Sequence, residues 1–206
     1  MSSKYTSRAD FPDALPKEAT FFCTLCGAAP VEKMKQEDGT VHYQCGACGG
    51  TAERFLAWDP GMVQYFNEAG ELVHSGGGVI VQNQKGEVLL IKQAKYPFLW
   101  TIPGGHMDVG EDPEKTAARE LFEETKIIAE KLQPVFTGEI RGDSCSGGAD
   151  IHFWYAYLCR VPNGIEPQLD VEEGREWGWF SLDELPELTM PVGYLLSLSE
   201  VRTSLE

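Results

Sequence analysis

Three carboxylates at helical spacing, Glu120, Glu123 and Glu124, are the first residues in this sequence that could do chemistry. At i, i+3 and i+4 they share one helix face, where they repel one another unless a cation neutralises them. Hard oxygen donors of this kind suit Mg²⁺ or Mn²⁺ better than zinc. Arg119 stands four residues before Glu123 and can hold it in place. Pro103-Gly104-Gly105, just upstream, brings bare backbone to the same place, where a carbonyl can ligate metal and N–H groups can meet phosphate. Taken alone, an acidic triplet is more often a solvated helix face.

A second constellation is Cys23-Thr-Leu-Cys26-Gly27 with Cys45-Gly-Ala-Cys48-Gly49. Four thiolates so spaced can close a tetrahedral Zn²⁺ site, and a glycine after each pair permits the tight turn that aims N–H groups at sulfur. The segment between reads as a hairpin turning at Asp38-Gly39, which makes a small zinc ribbon. Two disulfides are the alternative, and a redox role for one pair leaves the other unexplained. Lys33, Lys35 and Arg54 around the ribbon are offset by Glu32, Glu37, Asp38 and Glu53, so a cap, a dimer contact or a wall of a substrate pocket suits it better than nucleic acid. Cys145 and Cys159 read as a loop thiol and a small buried side chain.

The elements that must position these groups follow from the pattern. Residues 1–20 form an irregular arm, 21–52 the ribbon and 53–74 a connector. From 75 to 206 strands alternate with turns and two helices, an α/β (α+β) domain. GVIVQ and VLLIKQA read as strands around a QKGE turn, and IHFWYAYLCRV and WGWFSL as two more. SLDELPEL reads as a capped helical turn and PVGYLLSLSEVR as a C-terminal helix. Asp112 caps the carboxylate helix, with Pro113 at its first position. GEIRGDSCSGGAD, residues 138–150, reads as a flexible Gly/Ser loop.

Gly105, Glu111 and the run Arg119-Glu120-Leu121-Phe122-Glu123-Glu124-Thr125-Lys126-Ile127 closely resemble the Nudix box, G-x5-E-x7-R-E-U-x-E-E-x-G-U. The one mismatch is Lys126, where the pattern has Gly; in a left-handed backbone it costs on the order of 1 kcal/mol. The resemblance extends from Trp100-Thr-Ile-Pro-Gly-Gly to Trp179-Phe180-Ser-Leu-Asp-Glu-Leu-Pro. It implies a Nudix fold, a mixed sheet between helices, and Mg²⁺-dependent hydrolysis of a nucleoside diphosphate derivative. The implied metal ligands are Glu120, Glu123, Glu124 and the Gly104 carbonyl, with Arg119 orienting Glu123 and Gly105 and Glu111 bracing the loop. The catalytic carboxylate is Glu120, with Glu173 from a later loop as the second choice and Glu176 and Glu172 behind it.

A ribbon ahead of such a domain is similar to NADH pyrophosphatases, although their downstream S-Q-P-W type motif is missing. ADP-ribose or an NAD(H)-like dinucleotide is therefore mildly favoured over a nucleoside triphosphate, and a non-catalytic nucleotide sensor is the reading from another class. Lys92, Lys95 and Arg141 are candidate phosphate contacts, each also readable as a solvated charge. Phe98, Trp100 and Trp177 can stack on a base, though strand-spaced aromatics are usually core. His106 follows the glycine pair, while His42, His74 and His152 show no ligand spacing.

The whole chain of 206 residues carries 17 Lys and Arg against 32 Asp and Glu, a formal charge of −15. That balance argues against a phosphate backbone as the main partner but not against small phosphates bridged by divalent cations. No export signal or membrane span is read in the sequence, so the cytoplasm is the expected compartment, and a homodimer is a family-level expectation.

Overall fold

The computed structural model describes residues 5–206. Its strands are β1 (Thr20–Cys23), β2 (Val31–Lys35), β3 (Val41–Cys45), β4 (Thr51–Ala52), β5 (Phe55–Trp58), β6 (Gln64–Phe66), β7 (Leu72–Gln82), β8 (Val88–Gln93), β9 (Trp100–Thr101), β10 (Gly104–His106), β11 (Gln133–Arg141), β12 (Ile151–Arg160) and β13 (Gly174–Phe180). Helix α1 spans Pro113–Thr125, α2 Met190–Ser197 and α3 Ser199–Leu205. The main sheet runs β11-β12-β7-β8-β13, with β6 and β10 also pairing β7 and β9 pairing β8. The β7–β12 pair is parallel and the other ladders are antiparallel, so the sheet is mixed.

Every residue of β7 is buried, because helices cover both faces of the sheet. Val79 and Val81 on β7, Leu89 on β8 and Tyr157 on β12 meet Ala117 and Leu121 of α1. Their neighbours Ile80, Leu90 and Leu158 point the other way, onto Val192 and Leu196 of α2 and Val201 of α3. Cys159 packs on the α1 side as a small buried side chain. Helix α1 comes close to the sheet because β7 is bare there: a Cβ on Gly77 would lie 3.2 Å from the Ala117 nitrogen and 3.3 Å from the Pro113 oxygen.

Four expectations need correction. The single C-terminal helix is two, broken at Leu198, whose extended backbone lets Leu195 and Val201 reach one core. Residues 181–188 form turns rather than a helical one, with Leu182, Leu185 and Leu188 packed on the core. Strand β7 starts at Leu72, inside the expected connector, which also contributes β5 and β6. Residues 138–150 are no flexible loop: 138–141 belong to β11, and Asp143, Ala149 and Asp150 are buried. Arg54 fastens that loop, donating to the Cys145 and Ala149 carbonyls and pairing with Asp150 at 2.8 Å.

Of the N-terminal arm, residues 1–4 lie outside the described residues. Beyond them it carries one short 3-10 turn, Arg8–Asp10, and is tied down by Phe11, which is buried against Phe22, Trp58 and Phe66. The cysteine segment forms a separate three-stranded sheet, β2-β3-β4, turning at Asp38-Gly39 as expected. It packs on the main sheet through Val41 and Tyr43 against Ala94, and through Lys33 and Lys35 to Glu172 and the Val171 carbonyl.

Candidate active site

The helix carrying the carboxylates is set by its ends. Asp112 accepts from the Glu114 N–H at 3.0 Å, Pro113 opens the helix, and buried Ala117 and Leu121 hold it to the sheet. Its far end closes on Lys126 in the left-handed region (φ 60°), whose N–H donates to the Phe122 carbonyl at 2.9 Å. The Lys126 ammonium donates to the Glu123 carbonyl and lies 5.2 Å from the Phe122 ring centre. The helix therefore ends as a glycine would end it, at the cost of a strained lysine.

Arg119 organises the face. Its guanidinium bonds Glu111 at 3.0 Å through two nitrogens, Glu120 at 2.6 Å, Glu123 at 3.1 Å and the His106 carbonyl at 3.2 Å. Arg119 and a hydrogen bond from Thr116 draw the Glu111 carboxyl down to about 2. Burial pushes the Glu120 carboxyl up, partly offset by Arg119. Burial and the nearby carboxylates of Glu120 and Glu173 push Glu124 up further. The Gly104 N–H donates to Glu124 at 3.1 Å, and strand β10 presses against the helix so closely that a Cβ on Gly105 would strike the Glu120 carboxylate.

Glu120, Glu123, Glu124 and Gly104 all line one cavity of about 520 Å³, within the range of small-molecule sites. Among its lining residues only Lys95 and Arg119 carry permanent positive charge, against seven carboxylates. An anionic ligand there needs added cations. The box carboxylates do not converge on one point, because Glu120 and Glu123 are drawn onto Arg119. Among the described residues, only two sets of donor atoms gather within 4.8 Å of one another.

The first set is Cys23, Cys26, Cys45 and Cys48. Their Sγ–Sγ distances include 3.7 Å and 3.9 Å, close to the ~3.8 Å edge of a tetrahedron around zinc with Zn–S of about 2.3 Å. Gly27 and Gly49 turn with positive φ, and the N–H groups of Cys48 and Ala47 pull the Cys45 thiol down to about 7. The residues thus fit zinc, and all six cysteines of the chain are free of disulfides.

The second set, His74, His106, Cys145 and His152, escapes sequence reasoning. These residues share no local spacing; the β7–β12 ladder puts His74 beside His152 in register, and β10 and the 142–150 loop deliver the others. All four line the same cavity as the box carboxylates.

The remaining expectations divide. Glu173 lines the cavity, but both its oxygens accept from Lys95 at 2.6 Å. Glu172 pairs with Lys33, and Glu176 with Lys92 at 3.5 Å. Lys92 and Arg141, expected as phosphate contacts, lie outside the cavity. Lys92 sits over the Trp100 ring, and Arg141 is bound to Glu71 and Glu139. Of the three expected phosphate contacts, Lys95 reaches the cavity. Phe21, Tyr43 and Phe55, from the N-terminal segments, also line the cavity, and their rings touch one another through Phe55.

A family profile described as the NUDIX domain matches residues 73–196. Human diphosphoinositol polyphosphate phosphohydrolase 2 is 32% identical over 104 residues, 49% of this chain and 53% of that protein. The chain thus spans about half the length of the diphosphoinositol relatives it matches. RNA pyrophosphohydrolase of Rhizobium meliloti is 32% identical over 142 residues, 55% of this chain and 82% of that protein. The crystal structure of a MutT NUDIX hydrolase from Burkholderia pseudomallei superposes with a TM-score of 0.54 at 27% identity, covering 62% of this chain and 98% of that one. The NUDIX domain of Shewanella oneidensis NrtR, solved with ADP ribose, superposes with a TM-score of 0.53 at 20% identity, covering 69% and 94%, and shares the fold.

Proposed function

Since the chain belongs to the Nudix family, we propose that it hydrolyses a pyrophosphate bond in a nucleoside diphosphate derivative with the help of Mg²⁺ or Mn²⁺. The observation that carries this reading is the complete carboxylate face of α1, held by Arg119 in the lining of a cavity poor in cations. Turned from Arg119, Glu120 and Glu123 would join Glu124 and the Gly104 carbonyl in holding a divalent cation, which would supply charge for pyrophosphate oxygens and acidify water. Arg119 fixes two of these carboxylates and leaves Glu124 to face the cavity beside the Gly104 backbone. Glu120, whose proton affinity burial raises, is the carboxylate that orients or deprotonates the attacking water. Glu173 is the weaker base because Lys95 already occupies both its oxygens.

Substrate class follows from the walls. Tyr43, Phe55 and Phe21 offer a stacking surface for a base or nicotinamide, which favours an ADP-ribose or NAD(H)-like substrate over a bare polyphosphate. A diphosphoinositol polyphosphate would need more cations than Lys95 and Arg119 supply, and a net charge of −15 disfavours RNA. The four cysteines would hold a structural Zn²⁺ that keeps the aromatic wall in place. The test is a panel of ADP-ribose, NADH, diadenosine polyphosphates and dNTPs with Mg²⁺. The expected result is preferred cleavage of ADP-ribose or NADH to a nucleoside monophosphate. Preferred cleavage of dNTPs would replace this substrate class with the house-cleaning one.

A further inference from the structure

We propose that His74, His106, Cys145 and His152 form a second transition-metal site, filled by Zn²⁺ and separate from both the cysteine ribbon and the carboxylate face. Their donor atoms lie within 4.8 Å of one another. His74 Nδ1 is 3.2 Å from His106 Nε2 and 3.8 Å from Cys145 Sγ. A tetrahedral zinc with Zn–N of about 2.0–2.1 Å and Zn–S of about 2.3 Å sets those edges near ~3.3 Å and ~3.6 Å. Three imidazoles and one thiolate are borderline donors that select zinc over Mg²⁺. Four protein ligands close the shell, which makes the site structural.

The outer shell agrees. His152 directs Nδ1 at Asp143, 3.0 Å from its carbonyl and 3.2 Å from its carboxylate, and so turns Nε2 toward the other three. The Trp154 indole N–H holds the same carboxylate at 2.7 Å. A carboxylate behind a ligating histidine fixes its tautomer and strengthens it as a donor. His74 Nε2 is buried without a partner among the described residues.

The four ligands come from β7, β10, the 142–150 loop and β12. His106 ends the strand that presents Gly104 and Gly105, and its carbonyl holds Arg119. Zinc there would fasten β10, which lines the cavity beside α1, to β7, β12 and the 142–150 loop.

The experiment is metal analysis of the purified full chain after loading with Zn²⁺ and washing with excess Mg²⁺, with X-ray absorption at the zinc edge. Neither readout depends on hydrolysis, so the result stands whether or not the proposed activity does. The expected result is one zinc for each of the two donor sets, with nitrogen scattering at about 2.0–2.1 Å beside sulfur at about 2.3 Å. Cys145→Ser and His152→Ala should each lose one zinc and the nitrogen signal, while Cys26→Ser should lose the other and keep the nitrogen. A single zinc with an all-sulfur shell in the unaltered chain would overturn the proposal even if the variants failed to fold. So would a second zinc that persists in both Cys145→Ser and His152→Ala.

Discussion

Arg119 makes five hydrogen bonds that join the loop-bracing Glu111, the carboxylates of Glu120 and Glu123 and the backbone of His106. Arg119→Ala would release both carboxylates at once, and a misplaced catalytic group costs on the order of 10²-fold in rate. The expected outcome is such a fall in kcat with an unchanged circular dichroism spectrum. Glu111 gives a pH signature of the same network. Its carboxyl lies at about 2 against an ordinary 4.5, so its stabilisation is complete above about pH 4.5 and lost as pH falls toward 2. Glu111→Gln should flatten that part of the acid limb, read from urea midpoints across the range. At Lys126, glycine would relieve a left-handed backbone; Lys126→Gly should raise stability by about 1 kcal/mol in urea unfolding, less what the Phe122 contact contributes. The box carboxylates, Arg119, Glu111 and the strain at Lys126 were legible in sequence because one helix and one turn set their spacing. For Lys92 and Arg141 the sequence left a phosphate contact and a solvated charge both open, because a charge says nothing about which carboxylate it meets first; the structure pairs them with Glu176, Glu71 and Glu139. The histidine–cysteine set was illegible for a stronger reason: four distant segments meet only through strand register.

At the scale of elements, the bare stretch Gly76-Gly77-Gly78 of β7 governs where the site's parts can sit. A Cβ on Gly76 would lie 2.6 Å from the Gly105 carbonyl oxygen, and one on Gly77 would press on α1. Gly77→Ala should push α1 away from the sheet, costing about 1–3 kcal/mol in urea unfolding and reducing kcat more than it raises KM. Pattern reading found α1, β8 and β12, whose caps, apolar runs and turns are strong local signals. It missed β11, whose residues are mostly exposed or half-buried and give little periodicity. The 142–150 loop was misread because Gly and Ser composition suggests freedom, while Arg54 and the buried Asp143 and Asp150 remove it. The broken C-terminal helix follows a turn toward the core at Leu198 that no propensity marks.

For the whole molecule, the cysteine segment completes the cavity by supplying Tyr43 and, with β1 and β5, Phe21 and Phe55. Base–aromatic stacking is worth about 1–3 kcal/mol, so Phe21→Ala and Phe55→Ala should each raise KM by about tenfold with little change in kcat. Stripping the thiolate-bound zinc with a chelator, then removing the chelator and restoring Mg²⁺ before the assay, should do the same by loosening the wall. The acidity of the chain makes cations part of the site: two fixed positive side chains cannot balance its carboxylates and a pyrophosphate together. None of the described helices is long and apolar enough to cross a membrane.

The most direct test of cation-dependent pyrophosphate hydrolysis is turnover of ADP-ribose and NADH by the full chain, with and without Mg²⁺ or Mn²⁺, beside Glu120→Gln. The account predicts cleavage that requires the cation and falls at least about 10²-fold in the variant. Tight binding of the nucleotide without cleavage in either cation would contradict it and support a sensor. Cleavage undiminished in Glu120→Gln would contradict the role given to the α1 carboxylates.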